Sequence, residues 1–78
     1  MTFEALVQTE DEGVFIEVPP DSEFARARAP VTVTINGQSW ESTVAAYSGR
    51  FYLPLRRGLR QMAHIEPGDT VTVELASR

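Results

Sequence analysis

The chain has 78 residues, a formal net charge of −4, one histidine and no cysteine. This length predicts a single domain over residues 1–78 with a small core and marginal stability, and the lack of cysteine excludes disulfides and thiolate chemistry. The first residues do not resemble a signal peptide, and no stretch approaches the roughly 18 apolar residues of a membrane span, so we expect a soluble cytoplasmic protein without membrane contact.

The charge is divided unevenly along the chain. Residues 1–25 contain seven acidic residues and no basic one, a net charge of −7, whereas residues 26–78 contain seven arginines and four acidic residues, a net charge of +3. The acidic part is either a docking surface or a set of solvated loops and caps. The arginines of the second part are suited to bidentate contacts with anions.

The first predicted elements form a hairpin. Residues 3–9 alternate weakly between apolar and polar side chains, which predicts a strand, and residues 14–18 predict a second strand after a turn at 10–13. Pro19 and Pro20 end the second strand, because proline cannot donate a hydrogen bond to a neighbouring strand.

A short helical turn is predicted next, in which Asp21 or Ser22 caps a segment that runs through Phe24. The residues that follow it lead into a third strand at 31–35. This strand alternates strictly, so its valines and isoleucine are expected to face inward.

Asn36 and Gly37 form the strongest hairpin signal in the chain, because a type I′ turn requires positive φ at both central residues. The turn pairs the strand at 31–35 with a strand at 39–46. This pairing places Trp40 on the inward face, where we expect it to pack in the core or at a barrel end; ligand stacking is the alternative.

The last third of the chain predicts a strand followed by a helix. Residues 51–53 predict the strand, and Pro54 changes the pattern because proline is favoured at the first position of a helix. Leu55, Leu59 and Met62 then lie at i, i+4 and i+7, which predicts that they form the buried face of the helix.

The helix is predicted to end at Ala63 or His64, with His64 in the left-handed conformation that glycine usually takes at this position. Pro67 followed by Gly68 is typical of a type II turn. Residues 70–75 then alternate strictly, which predicts the final strand.

These elements form a β-β-α-β unit that occurs twice, over residues of about 2–36 and 38–76. The comparison aligns Gly13 with Gly49 and the strand at 31–35 with that at 71–75. One unit cannot cover its own apolar face, so we predict a mainly β fold in which two units close a six-stranded double-split barrel, with a short helix near each end.

The predicted core consists of the inward residues of the strands and the helix face. Its members are Phe3, Val7, Val14, Ile16, Val18, Val31, Val33, Ile35, Trp40, Val44, Leu53, Leu59, Ile65, Val71, Val73 and Leu75.

The chain resembles the bacterial domain-of-unknown-function family numbered nineteen-oh-five. The motifs that carry the resemblance are Leu53, Pro54, Leu59, Arg60, Gly68, Asp69, Val71 and Val73. The resemblance implies a double-split β-barrel, similar in shape to DNA-binding domains of the AbrB and MazE type, and implies no catalytic residue. The family usually has glycine where His64 stands and a helix former where Gly58 stands.

Two groups of residues are candidates for binding. Arg50, Arg56, Arg57 and Arg60 could bind an anion or a partner, or could only pair with the acidic first third. Trp40, Tyr47 and Tyr52 could line a small-molecule pocket at a barrel end.

The sequence contains no catalytic, cofactor-binding or metal-ligating motif, so we expect no enzyme activity, no cofactor and no bound metal. The favoured function is a non-catalytic binding module for a partner protein or a small ligand. An AbrB-like DNA-binding domain is the alternative, and a homodimer is possible in either case. Charge disfavours DNA, because phosphate contacts need free basic groups and the acidic third would repel the backbone.

Overall fold

The computed structural model describes residues 1–11 and 13–78. It confirms the predicted mainly β fold, and this part of the chain contains one short helix. The predicted turn at 10–13 includes Glu12, which lies outside the described residues. The elements are β1 Thr2–Leu6, β2 Gln8–Glu10, β3 Gly13–Glu17, β4 Pro30–Ile35, β5 Gln38–Thr43, β6 Ala45–Tyr47, β7 Arg50–Pro54, α1 Arg57–Ala63 and β8 Thr70–Ser77.

The strands form two antiparallel sheets of four strands each. The first sheet has the order β1-β8-β4-β5, and the second has the order β2-β3-β7-β6. In the described residues the hydrogen bonds therefore define two open sheets, and the predicted closed barrel of six strands is not observed. Eight strands replace the predicted six because each of the two long strands, 3–9 and 39–46, is interrupted once.

Both interruptions lie at a buried valine, Val7 in the first long strand and Val44 in the second. The Val7 N–H donates to Asp69 O at 2.8 Å, and its carbonyl accepts from Gly68 N at 2.8 Å. Val44 is held in the same way by the two residues that precede β4. Each long strand therefore turns at its valine and passes from the first sheet into the second.

The two halves of the chain have equivalent positions in the sheets. Exchanging β1–β4 with β5–β8 leaves the strand order of both sheets unchanged. The registers agree as well, since Phe3 pairs with Val73 as Trp40 pairs with Val33. Trp40 is thus the counterpart of Phe3, and both pack against the core while half-buried.

The register also corrects the alignment of the two units by one residue. Ile16 pairs with Leu53 at the centre of the second sheet, so Gly13 corresponds to Arg50 and not to Gly49. The reason is that side chains alternate between faces along a strand, and a shift by one residue would move Ile16 out of the core.

A short helix was predicted in each of the two units, and this prediction was wrong for the first unit. Residues 20–24 form turns, in which the Ser22 hydroxyl accepts a hydrogen bond from Phe24 N–H at 3.0 Å. Ser22 therefore caps a turn as predicted, but no helix follows in this segment. Phe24 and Ala29 are buried, and Arg28 between them has φ of 64°, so a right-handed helix cannot run from Phe24 to Ala29.

The predicted buried face of α1 was also wrong. The helix begins at Arg57, and Pro54 is the last residue of β7. Leu55 N–H donates to Val14 O at 2.8 Å, which extends the contact between β3 and β7 and keeps this residue out of the helix. Leu55 is buried, but Met62 is 42% exposed and Ala63 is the buried residue of α1.

Most of the predicted core is buried. Phe3, Val14 and Trp40 are half-buried and pack against it, and Leu59 is half-buried. The buried residues that the predicted core did not include are Ala5, Phe24, Ala29, Leu55 and Ala63. Phe24, Ala29 and Ala63 lie outside regular strands or at a helix end, where no periodic pattern marks them.

A pair of matched substitutions tests this packing. Leu55→Ala should lower the free energy of unfolding by about 2–5 kcal/mol because it leaves a cavity in the core. Leu59→Ala should lower it by only about 1 kcal/mol because part of this side chain is already in contact with water. Urea denaturation of both variants measures the difference, and equal losses would contradict the observed start of α1.

His64 has φ of 55° and ψ of 48°, which confirms the predicted left-handed residue at the end of the helix. This conformation costs a residue with a Cβ about 1–2 kcal/mol, so His64→Gly should leave the free energy of unfolding unchanged or raise it slightly. Gly68→Ala is the opposite control, because Gly68 has φ of 94° and alanine should be strained there. A loss above about 1 kcal/mol in His64→Gly would instead reveal a contact made by the imidazole.

Candidate functional site

The largest cleft described lies between α1 and the turn that leads into β8. Its volume is about 540 Å³, and its polar lining residues are Arg57, Arg60, Gln61, His64, Glu66 and Asp69. The first four of these lie at i, i+3, i+4 and i+7 of the helical segment, so they share one side of it. We call this site the helix cleft.

Backbone and side-chain hydrogen bonds fix both walls of the helix cleft. Ile65 N–H donates to Arg60 O at 2.9 Å at the end of the helix. On the opposite wall, the Asp69 carboxylate accepts from Glu66 N–H at 2.9 Å, and Asp69 N–H donates to Glu66 O at 3.1 Å. The Asp69 carboxylate therefore stabilises the turn to which it belongs, whereas the Glu66 side chain does not take part in these hydrogen bonds.

The hairpin between β4 and β5 supports the end of α1. Asn36, which has φ of 52°, donates a hydrogen bond from Nδ2 to Ala63 O at 2.7 Å. The last carbonyls of a helix have no partner within the helix. Asn36 satisfies one of them and thereby ties the helix cleft to the first sheet.

Arg60 is half-buried, and its Nε is buried without a hydrogen-bond partner among the described residues. Arg57 and His64 are exposed on the same side of the helix. A buried donor that lacks a partner costs about 1–3 kcal/mol, and more where the group is charged.

The other two predicted arginines lie elsewhere. Arg56 lines a separate cleft of about 340 Å³, and Arg50 is an exposed residue at the start of β7 that lines neither cleft. The four predicted arginines are thus divided among three places on the surface. The residues of the second cleft include Trp40, Glu41, Ser42, Arg56, Leu59 and Arg78.

The predicted aromatic pocket is divided as well. Trp40 lies on β5 in the first sheet, in the cleft that contains Arg56, and its Nε1 is buried without a partner among the described residues. Tyr47 and Tyr52 line a third cleft of about 290 Å³ on the second sheet, which we call the aromatic cleft. It is lined by Glu10, Phe15, Ala45, Tyr47, Tyr52 and Pro54.

Phe15 is the aromatic residue of this cleft that the sequence analysis did not select. Its ring makes an edge-to-face contact with Tyr52, with ring centroids 5.0 Å apart. The signal was present in the sequence, because Val14 and Ile16 were assigned to the inner face of the strand, and side chains alternate, so Phe15 between them had to lie on the outer face.

The matching family model is described as domain of unknown function (DUF1905), and the match covers residues 3–75. The chain belongs to this family. The resemblance inferred from the motifs of the last third is thereby confirmed, and it extends over nearly the whole chain. No curated protein matches the sequence.

Both positions at which this DUF1905 domain was expected to differ from its family lie in or next to α1. Gly58 is the second residue of the helix, and a Cβ placed there would meet no atom within 4 Å, so a better helix former would fit. His64 adds an imidazole to the helix cleft at a position where glycine would add nothing.

The remaining observations concern metals and membranes. Among residues 1–11 and 13–78, the histidine and the acidic side chains form no group of three or more that could hold a metal ion. Within the same residues, no helix has the length and apolarity needed to cross a membrane.

The support that Asn36 gives to the helix cleft can be tested with two substitutions. Asn36→Asp keeps a residue that tolerates positive φ, but it replaces the donor with a carboxylate next to the negative end of the helix dipole. We expect a loss of about 1–2 kcal/mol in the free energy of unfolding. Asn36→Gly removes only the hydrogen bond and should cost less, so equal losses in thermal denaturation would contradict this role.

Proposed function

We propose that this DUF1905 domain is a non-catalytic binding module that holds an anionic group of its ligand in the helix cleft. The observation that carries the proposal is that Arg57 and Arg60, about one turn apart on the same side of α1, both line the cleft. Two guanidinium groups placed side by side suit bidentate contacts with an anion.

The residues around Arg60 favour an anion. Arg57 adds a second guanidinium, and Gln61 adds amide donors on the same side of the helix. Glu66 and Asp69, on the turn that faces the helix, are both acidic and oppose an anion, so the anion would lie against the helix wall of the cleft. Guanidinium groups bind well to the two coplanar oxygens of a carboxylate and to the several oxygens of a phosphate group.

The chemistry of the lining residues supports binding without reaction. The residues that line the helix cleft include no serine, threonine, cysteine or lysine. These are four of the residue types that act as nucleophiles in covalent catalysis; of the other types, the cleft contains His64, Glu66 and Asp69, and the Asp69 carboxylate is engaged in its own turn. We therefore propose that the domain recognises a group on its ligand and leaves the covalent structure of the ligand unchanged.

We also propose that the two sheets together form one double-split barrel built from two β-β-α-β units. Chain continuity through Val7 and Val44 supports this, because each valine joins a strand of the first sheet to a strand of the second. The equivalent registers of the two halves support duplication of one unit. In the first unit, turns between β3 and β4 occupy the place that α1 has in the second.

The proposed anion site can be tested by NMR titration of the ¹⁵N-labelled domain with sodium phosphate and with sodium acetate. We expect the largest shift changes at residues 57–64 and an affinity in the roughly millimolar range for so small a probe. Arg60→Gln should weaken binding at least about tenfold, because a hydrogen bond to a charged group contributes about 1.5–3 kcal/mol. Its melting temperature shows whether the fold is retained.

Arg50→Gln is the matched control, since it removes the same charge from a strand outside the helix cleft and should leave the affinity unchanged. Equal weakening by both substitutions would indicate a general charge effect and contradict a built site. A titration with a 12-base-pair DNA duplex tests the alternative function. Shifts that extend to Arg50 and Arg56 and weaken steeply with salt would favour DNA binding over the proposed module.

A further inference from the structure

The second sheet carries an exposed aromatic residue on its edge strand β6. Tyr47 is 75% exposed, and Ala45 on the same strand is exposed as well. These two residues are separated by one position and therefore share a face of the sheet. Tyr52 of β7 lies directly opposite Ala45 and projects to the same side. Exposed apolar side chains grouped in this way mark a contact surface on a small domain.

The backbone of β6 has a free edge. β6 is the last strand of the second sheet and pairs with β7 alone. The Phe51 carbonyl accepts from Val18 N–H at 2.7 Å, so it points toward β3 and away from β6. In an antiparallel pair this makes Ala46, the partner of Phe51, a residue whose N–H and C=O point away from β7.

The described residues form four edge strands, which are β1 and β5 in the first sheet and β2 and β6 in the second. Three of these edges contain a glutamate, which is Glu4 in β1, Glu10 in β2 and Glu41 in β5. A charged side chain on an edge strand opposes pairing with another strand, and like charges directly opposite each other are destabilising. β6 has no charged residue, so it is the edge among these four that lacks this protection.

We propose that this DUF1905 domain forms a homodimer in which β6 pairs antiparallel with β6 of a second copy, about a twofold axis at Ala46. Each Ala46 donates its N–H to the Ala46 carbonyl of the other copy. The second sheets of the two copies, with four strands each, thereby join into one continuous sheet. This surface is separate from the helix cleft, and the inference does not rest on the proposed anion site.

A second copy fits this edge because a large and a small side chain flank the axis. With Ala46 opposite itself, Tyr47 lies opposite the partner's Ala45. The Tyr47 ring therefore covers a small side chain and extends toward the partner's Tyr52, since Ala45 and Tyr52 are paired in the sheet. The twofold axis makes this contact twice, and aromatic contacts of this kind favour association.

The charges of the two copies are kept apart in this pairing. Arg50 lies opposite Tyr47 on β7, so the two copies of Arg50 are separated by three strand spacings, about 14 Å. This separation exceeds the Debye length of roughly 8 Å at physiological salt. The acidic strand β2 lies at the opposite edge of the second sheet from β6, so the net charge of −4 is not concentrated at the contact.

The small contact area limits the affinity. A stable interface buries about 800 Å² of each partner, which is about a sixth of the 4962 Å² surface of this domain. β6 has three residues, so its edge and the two Tyr47 contacts bury less than this. We therefore expect a weak and reversible dimer, with a Kd of about 0.1–1 mM.

Sedimentation equilibrium and NMR diffusion measure the association of the ¹⁵N-labelled domain at concentrations up to about 2 mM, where mass action favours the dimer. We expect the mean mass to rise with concentration, and the amide shifts of residues 45–47 to change in parallel. A domain that stays monomeric over this range would overturn the proposal. Shift changes confined to residues outside β6 and β7 would overturn it as well.

Charge exchange at Ala46 tests the position of the axis. Ala46→Glu and Ala46→Lys each place like charges opposite one another and should raise Kd about tenfold or more. An equimolar mixture of the two variants should associate again, because unlike charges then face each other. Ala76→Glu is the matched control, since Ala76 is an exposed alanine on the central strand β8 and this change should leave Kd unaltered. Tyr47→Ala should raise Kd about threefold or more.

The outcomes separate this dimer from other associations. Self-association that persists in Ala46→Glu, or that does not return in the mixture, places the contact elsewhere and contradicts the proposal. The amide spectrum and the melting temperature establish that each variant is folded, and Tyr47→Ala, at an exposed side chain, serves if Ala46→Glu unfolds. Phosphate shifts at residues 57–64 in Ala46→Glu test the anion site independently, so the failure of either proposal is recognised without the other.

Discussion

The structure depends on how two long strands are bent and held at Val7 and Val44. Each valine is buried and uses both its N–H and its C=O to bind the residues that lead into β8 or β4. A buried backbone group without a partner would be costly, so these hydrogen bonds allow the chain to leave one sheet and enter the other inside the core. The bends bring the two sheets together around the apolar residues of β4 and β8.

This arrangement assigns different tasks to the two sheets. In the first sheet the central strands β4 and β8 supply most of the core, with alternate residues buried from Val31 to Ile35 and from Val71 to Leu75. In the second sheet the inner side is closed by Ile16 and Leu53, and the outer side is left to aromatic residues. A domain of this size has few apolar residues with which to form its core. Aromatic side chains that remain outside the core are therefore informative about where the domain contacts other molecules.

The helix cleft and the aromatic cleft are built by different means. The helix cleft depends on the last turn of α1, which Asn36 holds against the first sheet. The aromatic cleft is formed by strand residues whose positions follow directly from the register. The first contains arginine side chains, and the second contains exposed aromatic rings.

Local features of the sequence determined a large part of this structure. Strict alternation identified the buried residues of β4 and β8, because the side chains of a strand alternate between its faces whatever surrounds it. Asn36 with Gly37 specified the hairpin, and both have positive φ in the structure. His64 was located at the helix end in the left-handed conformation because the helical pattern stops there.

Tertiary structure decided what depends on residues distant in the chain. Leu55 was assigned to a helix from its spacing, yet its N–H is taken by Val14, which no local pattern reveals. The bends at Val7 and Val44 were not foreseen because a strand that changes sheets keeps the same alternation on both sides of the bend. The predicted arginines lie in separate places, and Trp40 lies in a different cleft from Tyr47. The reason is that strand pairing decides on which side of the domain a residue lies, and strand pairing is a property of the whole fold.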